Sequence, residues 1–244
     1  MNMFDNIINA IKAFFVDFGE SFYENFVAED RWQYLLSGLG NTLVITVLSV
    51  IIGILLGFVI AVIRSTHDKT GKFGFLNGLA KIYLTVIRGT PVVVQLLIIY
   101  FVIFASVNID KTFVAVLAFG LNSAAYVAEI VRSGIMSIDN GQFEAGSSLG
   151  FSYSQTMISI ILPQAFKNVL PALANEFIVL LKETSVAGYI AINDLTKGGD
   201  TIRSQTYEPL LPLLAVAAIY LVLVMLLSHF VTKLERRLSK TDRR

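Results

Sequence analysis

The chain has 244 residues, of which 55% are hydrophobic and 15% are charged, whereas about 25% of the residues of soluble domains are charged. It contains no cysteine, which excludes disulfides and thiolate chemistry. The formal net charge of +1 conceals a strong asymmetry along the chain, which bears on topology. This composition predicts one integral membrane domain rather than two soluble domains.

Residues 1–37 form the first predicted unit, an external amphipathic segment. Apolar residues recur at helical spacing between Phe4 and Phe26, and acidic residues occupy much of the opposite face. A signal peptide would have a positively charged start and an unbroken apolar run, and neither is present. Two interpretations stand as equals: a helix lying in the membrane interface, or a helix that packs on the bundle.

Five apolar stretches follow and predict five transmembrane helices between residues 38 and 232. The first carries no charged residue and is long enough to cross about 30 Å of hydrocarbon. Its Gly53 and Gly57 form a pair of small residues four positions apart, which permits close contact with another helix. The predicted spans lie within Leu39–Ile63, Leu79–Val107, Phe113–Val131, Thr156–Leu181 and Leu210–Val231.

Three interruptions refine these spans. The sequence Arg88-Gly89-Thr90-Pro91 supplies a helix cap and a first helical proline, so the second span is expected to begin near Pro91 with a surface helix before it. Pro163 and Pro171 predict kinks inside the fourth span. Gly198-Gly199-Asp200 predicts a turn in the polar segment before the fifth span.

The basic residues predict the orientation of the chain. Arg64, Lys69 and Lys72 follow the first span, and the tail of residues 233–244 is strongly basic. Short basic segments stay on the cytoplasmic side, so five spans place the N-terminus outside. The same topology places the loop around Glu144 on the cytoplasmic side.

A short polar segment, Gln142–Gly150, lies between the third and fourth spans. Asp139 or Asn140 can cap a helix start here, Glu144 suits the positive end of the helix dipole, and Gly150 can end the helix in the left-handed conformation. The segment is therefore either a short surface helix that presents a face to a partner or an ordinary polar loop.

Three groups of residues resemble the permeases of ABC importers. Glu144-Ala145, Leu149-Gly150 and Leu162-Pro163-Gln164-Ala165 match the EAA loop of that family. Arg88–Pro91 with Gln95, and Ala125–Ile135, are similar to its polar amino-acid branch, and Asn175–Phe177 through Lys182–Ser185 continue the match. The resemblance covers roughly Leu39 to the C-terminal end.

The resemblance implies a subunit of a larger machine in a bacterial cell membrane. Its EAA loop would be the coupling helix that docks into a groove on an ABC ATPase, through Gln142, Glu144, Ala145, Gly146, Leu149 and Gly150. Two permease chains, identical or different, would form the pathway above two ATPases, and an external binding protein would deliver the substrate. ATP and Mg²⁺ would be bound by the ATPase partner, with no cofactor or metal in this chain.

Two positions depart from the family pattern. Gly146 stands where the family usually has Ala, and Asp139 stands where Pro is common. Glycine in a helix interior costs about 1 kcal/mol relative to alanine. The coupling helix is therefore expected to be weaker than usual.

The sequence offers little support for an enzyme. It has no P-loop, no metal-ligand spacing around His67 or His229 and no nucleophile elbow. A membrane-embedded enzyme would have to use Glu129, Glu176 and Glu183 as acids or bases, without a partnered histidine or nucleophile. The alternatives to an amino-acid permease are a permease for another small solute and such an enzyme.

Polar side chains inside apolar spans are candidates for substrate contacts. Asn122 and Glu129 are seven residues apart, two turns along one face of the third span. The competing interpretation of Glu129 is an intrahelical pair with Arg132. The predicted substrate-binding residues are Asn122, Glu129, Glu183, Thr184 and Ser185.

Overall fold

A computed structural model describes residue 13 and residues 15–241, and in this part of the chain all regular structure is helical. The N-terminal half of the predicted Phe4–Phe26 helix lies largely outside the described residues. Its remainder is helical from residue 15 to 22 and passes through a π-turn at Tyr23–Val27.

Eight labelled helices follow in the described range, besides the 3-10 helices Ala28–Asp30 and Thr184–Ile190, and they account for the five predicted spans. Four single helices are long and apolar enough to cross a membrane, and a bent pair makes up to five. The helices are α1 (Trp32–Thr70), α2 (Gly74–Gly89), α3 (Val92–Ile103), α4 (Lys111–Met136), α5 (Asn140–Ser148), α6 (residues 153–183), α7 (Leu195–Thr206) and α8 (Leu210–Thr241).

The predicted break in the second span is confirmed. Helices α2 and α3 are bent by 109° around Thr90 and Pro91, both of which have extended backbone. Gln95 holds the bend, because its Nε2 donates to the carbonyl oxygens of Ile87 at 2.7 Å and Thr90 at 3.0 Å. A buried side-chain amide thus satisfies the backbone carbonyls that the bend leaves free.

Small residues bring α1 and α4 together. A Cβ added at Gly53 would lie 2.7 Å from Ser123 Oγ, and one at Gly57 would lie 2.7 Å from Val127 Cβ. Gly120 of α4 makes the reciprocal approach to Ile52. The close contact predicted from the spacing of the two α1 glycines is confirmed.

The predicted turn at Gly198-Gly199-Asp200 is wrong, because these residues lie inside α7. Asp194 caps this helix by accepting a hydrogen bond from the Lys197 amide at 3.2 Å. A Cβ at Gly198 would lie 2.4 Å from the Tyr34 carbonyl oxygen, and one at Gly199 would lie 2.4 Å from Val216. The glycines therefore serve close packing of α7 against α1 and α8.

Candidate functional site

The polar segment between α4 and α6 is a capped helix, α5, and not a loop. Asp139 Oδ1 accepts from the Gly141 amide at 2.6 Å, and the helix begins at Asn140. The chain leaves it through Gly150, whose φ of +81° is left-handed. The expected cap and the expected stop are both confirmed.

Helix α5 is held between α1 and α6. Lys69 Nζ at the end of α1 donates to Asn140 Oδ1 at 2.5 Å and lies 5.0 Å from the centre of the Phe143 ring. The same ring stacks on Tyr153 of α6 with a centroid distance of 6.0 Å. These contacts fix the orientation of α5 relative to both long helices.

Gly146 has a packing role that its helix propensity does not indicate. It is buried, and a Cβ at this position would lie 2.6 Å from Thr156 Oγ1 and 2.7 Å from Thr156 Cγ2. The absence of a side chain therefore lets α5 approach α6 closely.

The other predicted coupling residues are exposed, and Gln142 also accepts a hydrogen bond from Gln164 of α6 at 3.4 Å. Leu149 is 74% exposed, which is unusual for a large apolar side chain at a helix end. The exposed members of the set are Gln142, Glu144, Ala145, Leu149 and Gly150. Each of them is accessible, and their docking role stays a prediction.

A cluster of charged residues lies about ten ångströms above the α5 end of α4. Glu129 Oε1 accepts from Arg132 Nη2 at 2.8 Å, which confirms the intrahelical pair. Its Oε2 accepts from Arg64 Nη1 of α1 at 3.0 Å and lies 3.8 Å from Arg88 Nη1 of α2. Arg132 also contacts Asp68 at 3.2 Å. Glu129 thus joins α1, α2 and α4.

A cleft of about 450 Å³ runs between α4 and α6 beside this cluster. Its volume suits a small solute. Arg88 lies over the Tyr126 ring at 5.7 Å, and Glu176 accepts from Ser123 Oγ at 3.0 Å. The polar and aromatic residues in its lining are Arg88, Tyr126, Glu129, Ser133, Ser137, Asn168 and Glu176.

The five predicted substrate-binding residues do not share one cavity. Glu129 lines the cleft, whereas Ser185 lines a separate cavity beside α7 at the opposite end of the bundle. Asn122 is 2% exposed and donates to Gln95 Oε1 at 3.2 Å. Thr184 is fully buried, with its hydroxyl 3.3 Å from that of Thr46. Glu183 is half-buried at the α7 end of α6.

Glu176 and Tyr126 line the cleft but were not among the predicted substrate contacts. The indication for Glu176 was available, because it is a carboxylate inside an otherwise apolar stretch. Tyr126 could not be singled out, because an aromatic residue in a transmembrane helix is usually packed.

The enzyme alternative depends on the partners of its carboxylates. Within the described residues, no group of three His, Asp or Glu side chains could hold a metal ion. Glu129 contacts the arginines Arg64 and Arg132, and Glu176 accepts a hydrogen bond from the buried Ser123 hydroxyl.

Residues 53–240 match the family described as binding-protein-dependent transport system inner membrane component. The arginine transport system permease protein ArtQ of Bacillus subtilis is 42% identical over 211 residues, covering 86% of this chain and 94% of that protein. The L-cystine transport system permease protein TcyB of the same organism is 37% identical over 216 residues, covering 88% and 90%.

Two solved structures of transporters are also similar to this chain. One described as an amino acid ABC transporter with histidines has a TM-score of 0.78 and 42% identity, over 87% of this chain and 98% of that chain. The inward-facing MetNI methionine transporter has a TM-score of 0.73 at 19% identity, over 85% and 97%, and shares the fold.

The bundle and its relatives define a class, the helical permease subunits of transport systems. This chain belongs to the family of binding-protein-dependent transport system inner membrane components. The resemblance to ABC importer permeases and the membrane location are thereby confirmed.

Proposed function

We propose that this chain is one of two permease subunits in an ATP-driven importer for polar amino acids. The cleft between α4 and α6 carries the proposal, because it places a carboxylate, an arginine and an aromatic ring around a volume of about 450 Å³. A zwitterionic solute needs both a donor and an acceptor in a partly dry site. Relatives named for arginine and L-cystine transport support this substrate class.

The position of α5 supports the rest of the proposed machine. Its exposed residues lie at the end of the bundle that is expected to face the cytoplasm, where an ATPase would dock and bind ATP with Mg²⁺. An external binding protein would deliver substrate to the α7 end. Closure of the ATPases would move α5, and the spans would alternate between outward and inward openings.

The division of the chain follows from the same proposal. Residues 38–232 would form the transmembrane permease domain. Residues 1–37 would form an external amphipathic segment, and residues 233–244 would form a basic cytoplasmic tail.

The proposed substrate contacts include Glu129 and Glu176 in the cleft. Four predicted contacts stay predictions: Asn122, Glu183, Thr184 and Ser185. Asn122 and Thr184 are buried in this conformation and not accessible to a solute. Their participation would require α6 to move relative to α4, which alternating access supplies.

The test is substrate-stimulated ATP hydrolysis in proteoliposomes containing this chain, its cognate ATPase and its binding protein. Arginine, cystine and glutamine would be compared with a small sugar. A charge-assisted hydrogen bond contributes roughly 1.5–3 kcal/mol, so Glu176→Gln should weaken apparent substrate affinity about ten- to a hundredfold.

Controls separate the cleft from the α7 end. Glu235→Gln removes an exposed carboxylate in the tail region of α8 and should have no effect. Glu183→Gln and Asn122→Leu in the same assay test the predicted residues outside the cleft. Stimulation by the sugar and not by any amino acid would refute the substrate class, and hydrolysis by the chain alone would refute a permease role.

A further inference from the structure

A second cavity, the α1–α2 pocket, lies on the other side of Arg88 from the cleft. It has a volume of about 500 Å³ and is lined by Arg64, Lys81, Leu84, Thr85, Arg88, Gly89 and Glu129. Three of these side chains are cations and one is an anion. The pocket therefore gathers positive charge well beyond what its own carboxylate neutralises.

The hydrogen bonds of these cations leave donors available. Arg64 Nη1 binds Glu129, but the Arg64 Nε is buried and has no partner among the described residues. Arg88 Nη1 lies 3.8 Å from Glu129, too far for a hydrogen bond. Lys81 is exposed on α2, one turn from Thr85. The accessible donors of the pocket are therefore those of Arg88 and Lys81, which would donate to an anionic oxygen.

The negative charge of Glu129 repels a bound anion only weakly, because both of its carboxylate oxygens already accept hydrogen bonds from arginines. Arg132 donates to its Oε1 through Nη2 at 2.8 Å and Nε at 3.3 Å. Arg64 takes the other oxygen. The field in the pocket is therefore set by Lys81, Arg88 and the remaining donors of Arg64.

The depth of the pocket matches the phosphate level of a bilayer. Arg64 is the first charged residue after the uncharged stretch Leu39–Ile63, and Glu129 is the first after residues 112–128 of α4. Both spans thus leave the hydrocarbon at this height. Basic pockets between transmembrane helices at this level bind anionic lipid headgroups.

A second exposed face of α2 is apolar. Leu79, Ile82 and Val86 are 49%, 63% and 54% exposed and fall on one side of the helix, about 140° around its axis from Lys81 and Arg88. A ligand with a phosphate and long acyl chains would match both faces, whereas a free phosphate would match only one.

We propose that the α1–α2 pocket binds the phosphate of an anionic phospholipid through Arg64, Lys81 and Arg88, with the acyl chains along Leu79, Ile82 and Val86. This site shares Arg88 and Glu129 with the proposed substrate cleft and lies on their other side. Bound lipid would hold α2 against α1 at the bend that leads into α3.

The test is native mass spectrometry of the full chain in detergent, titrated with phosphatidylglycerol or phosphatidylcholine. Phosphatidylglycerol should bind more tightly. Lys81→Gln should weaken its binding about fivefold, the effect of one basic residue near an anionic surface, and Lys81→Glu should weaken it further. Lys72→Gln, which removes an exposed cation at the same end outside the pocket, should leave binding unchanged.

Three outcomes would overturn the proposal. The two lipids would bind equally tightly, both Lys81 variants would bind phosphatidylglycerol as tightly as the wild type, or inorganic phosphate alone would bind as tightly as phosphatidylglycerol. The last would assign a free anion instead of a lipid. If Lys81→Gln lowers the melting temperature of the chain without lipid, Arg88→Gln is measured in its place. We expect Arg88→Gln to weaken phosphatidylglycerol binding about fivefold as well.

Discussion

At the scale of single residues, the buried cap of α7 is expected to make the stability of the chain depend on pH. Asp194 is fully buried, and its Oδ2 has no hydrogen-bond partner among the described residues. Burial raises the pKa of this carboxyl to about 6, although backbone amides around it act in the other direction. The folded state therefore favours the protonated form, while the unfolded chain does not.

Asp194→Asn should remove most of this dependence. With a folded pKa above the unfolded one, the carboxyl stabilises the fold fully below about pH 4, and this contribution is lost as the pH rises to about 6. The difference corresponds to roughly 3 kcal/mol. Thermal unfolding in detergent between pH 4 and 7.5 should show a flatter profile for the variant than for the wild type.

Asp200→Asn is the matched control on the same helix. Hydrogen bonds from Lys197 and Arg203 lower the pKa of Asp200, so its stabilisation is lost as the pH falls, the opposite sign. If the stability of Asp194→Asn changed with pH as steeply as that of the wild type, the pH dependence would not arise from Asp194.

A second residue-scale prediction concerns Gly146. Alanine should add about 1 kcal/mol of helix propensity, but its Cβ would overlap Thr156, and overpacking costs about 1–3 kcal/mol. Gly146→Ala should therefore destabilise the chain in the wild-type background and stabilise it in a Thr156→Ala background. A double-mutant cycle from thermal unfolding measures this coupling, and additive effects would exclude the contact.

At the scale of elements, the exposed face of α5 is expected to govern assembly. Glu144 is exposed in the middle of the helix, and the first turn contains no acidic residue, so the expected position at the positive end of the helix dipole is wrong. Glu144→Lys should reduce co-purification of the ATPase while the chain still inserts in the membrane. Ser147→Lys, a change on the same short helix outside the predicted set, is the comparison. Wild-type yields of ATPase with Glu144→Lys would refute the docking role.

The elements also show what the sequence could predict. The spans, the bend near Pro91 and the α5 cap were predictable, because long apolar runs, a Thr-Pro pair and an Asp cap act through local chemistry. The helix over Gly198 and Gly199 was not, since glycine indicates a turn locally and only the approach of Tyr34 and Val216 explains it. The separation of Asn122, Glu129 and Ser185 into different environments was equally unpredictable, because it depends on how α2 and α7 pack.

At the scale of the whole molecule, the absence of cysteine makes the orientation directly testable. Glu20→Cys, in the exposed helical turn before α1, should react with an impermeant thiol reagent from outside the cell. Ser147→Cys on α5 should react only after the membrane is opened. Labelling of Glu20→Cys solely after permeabilisation would reverse the proposed topology.

The close seam between α1 and α4 has a mechanical consequence. A methyl group at Gly53 or Gly57 would overlap the side chain of Ser123 or Val127 on the facing helix, so the seam leaves little room for one helix to shift against the other. The two helices are therefore expected to move together, as one lever. Since α5 is attached to this lever through Lys69 and to α6 through Thr156, a push on α5 reaches both sides of the cleft with little slack.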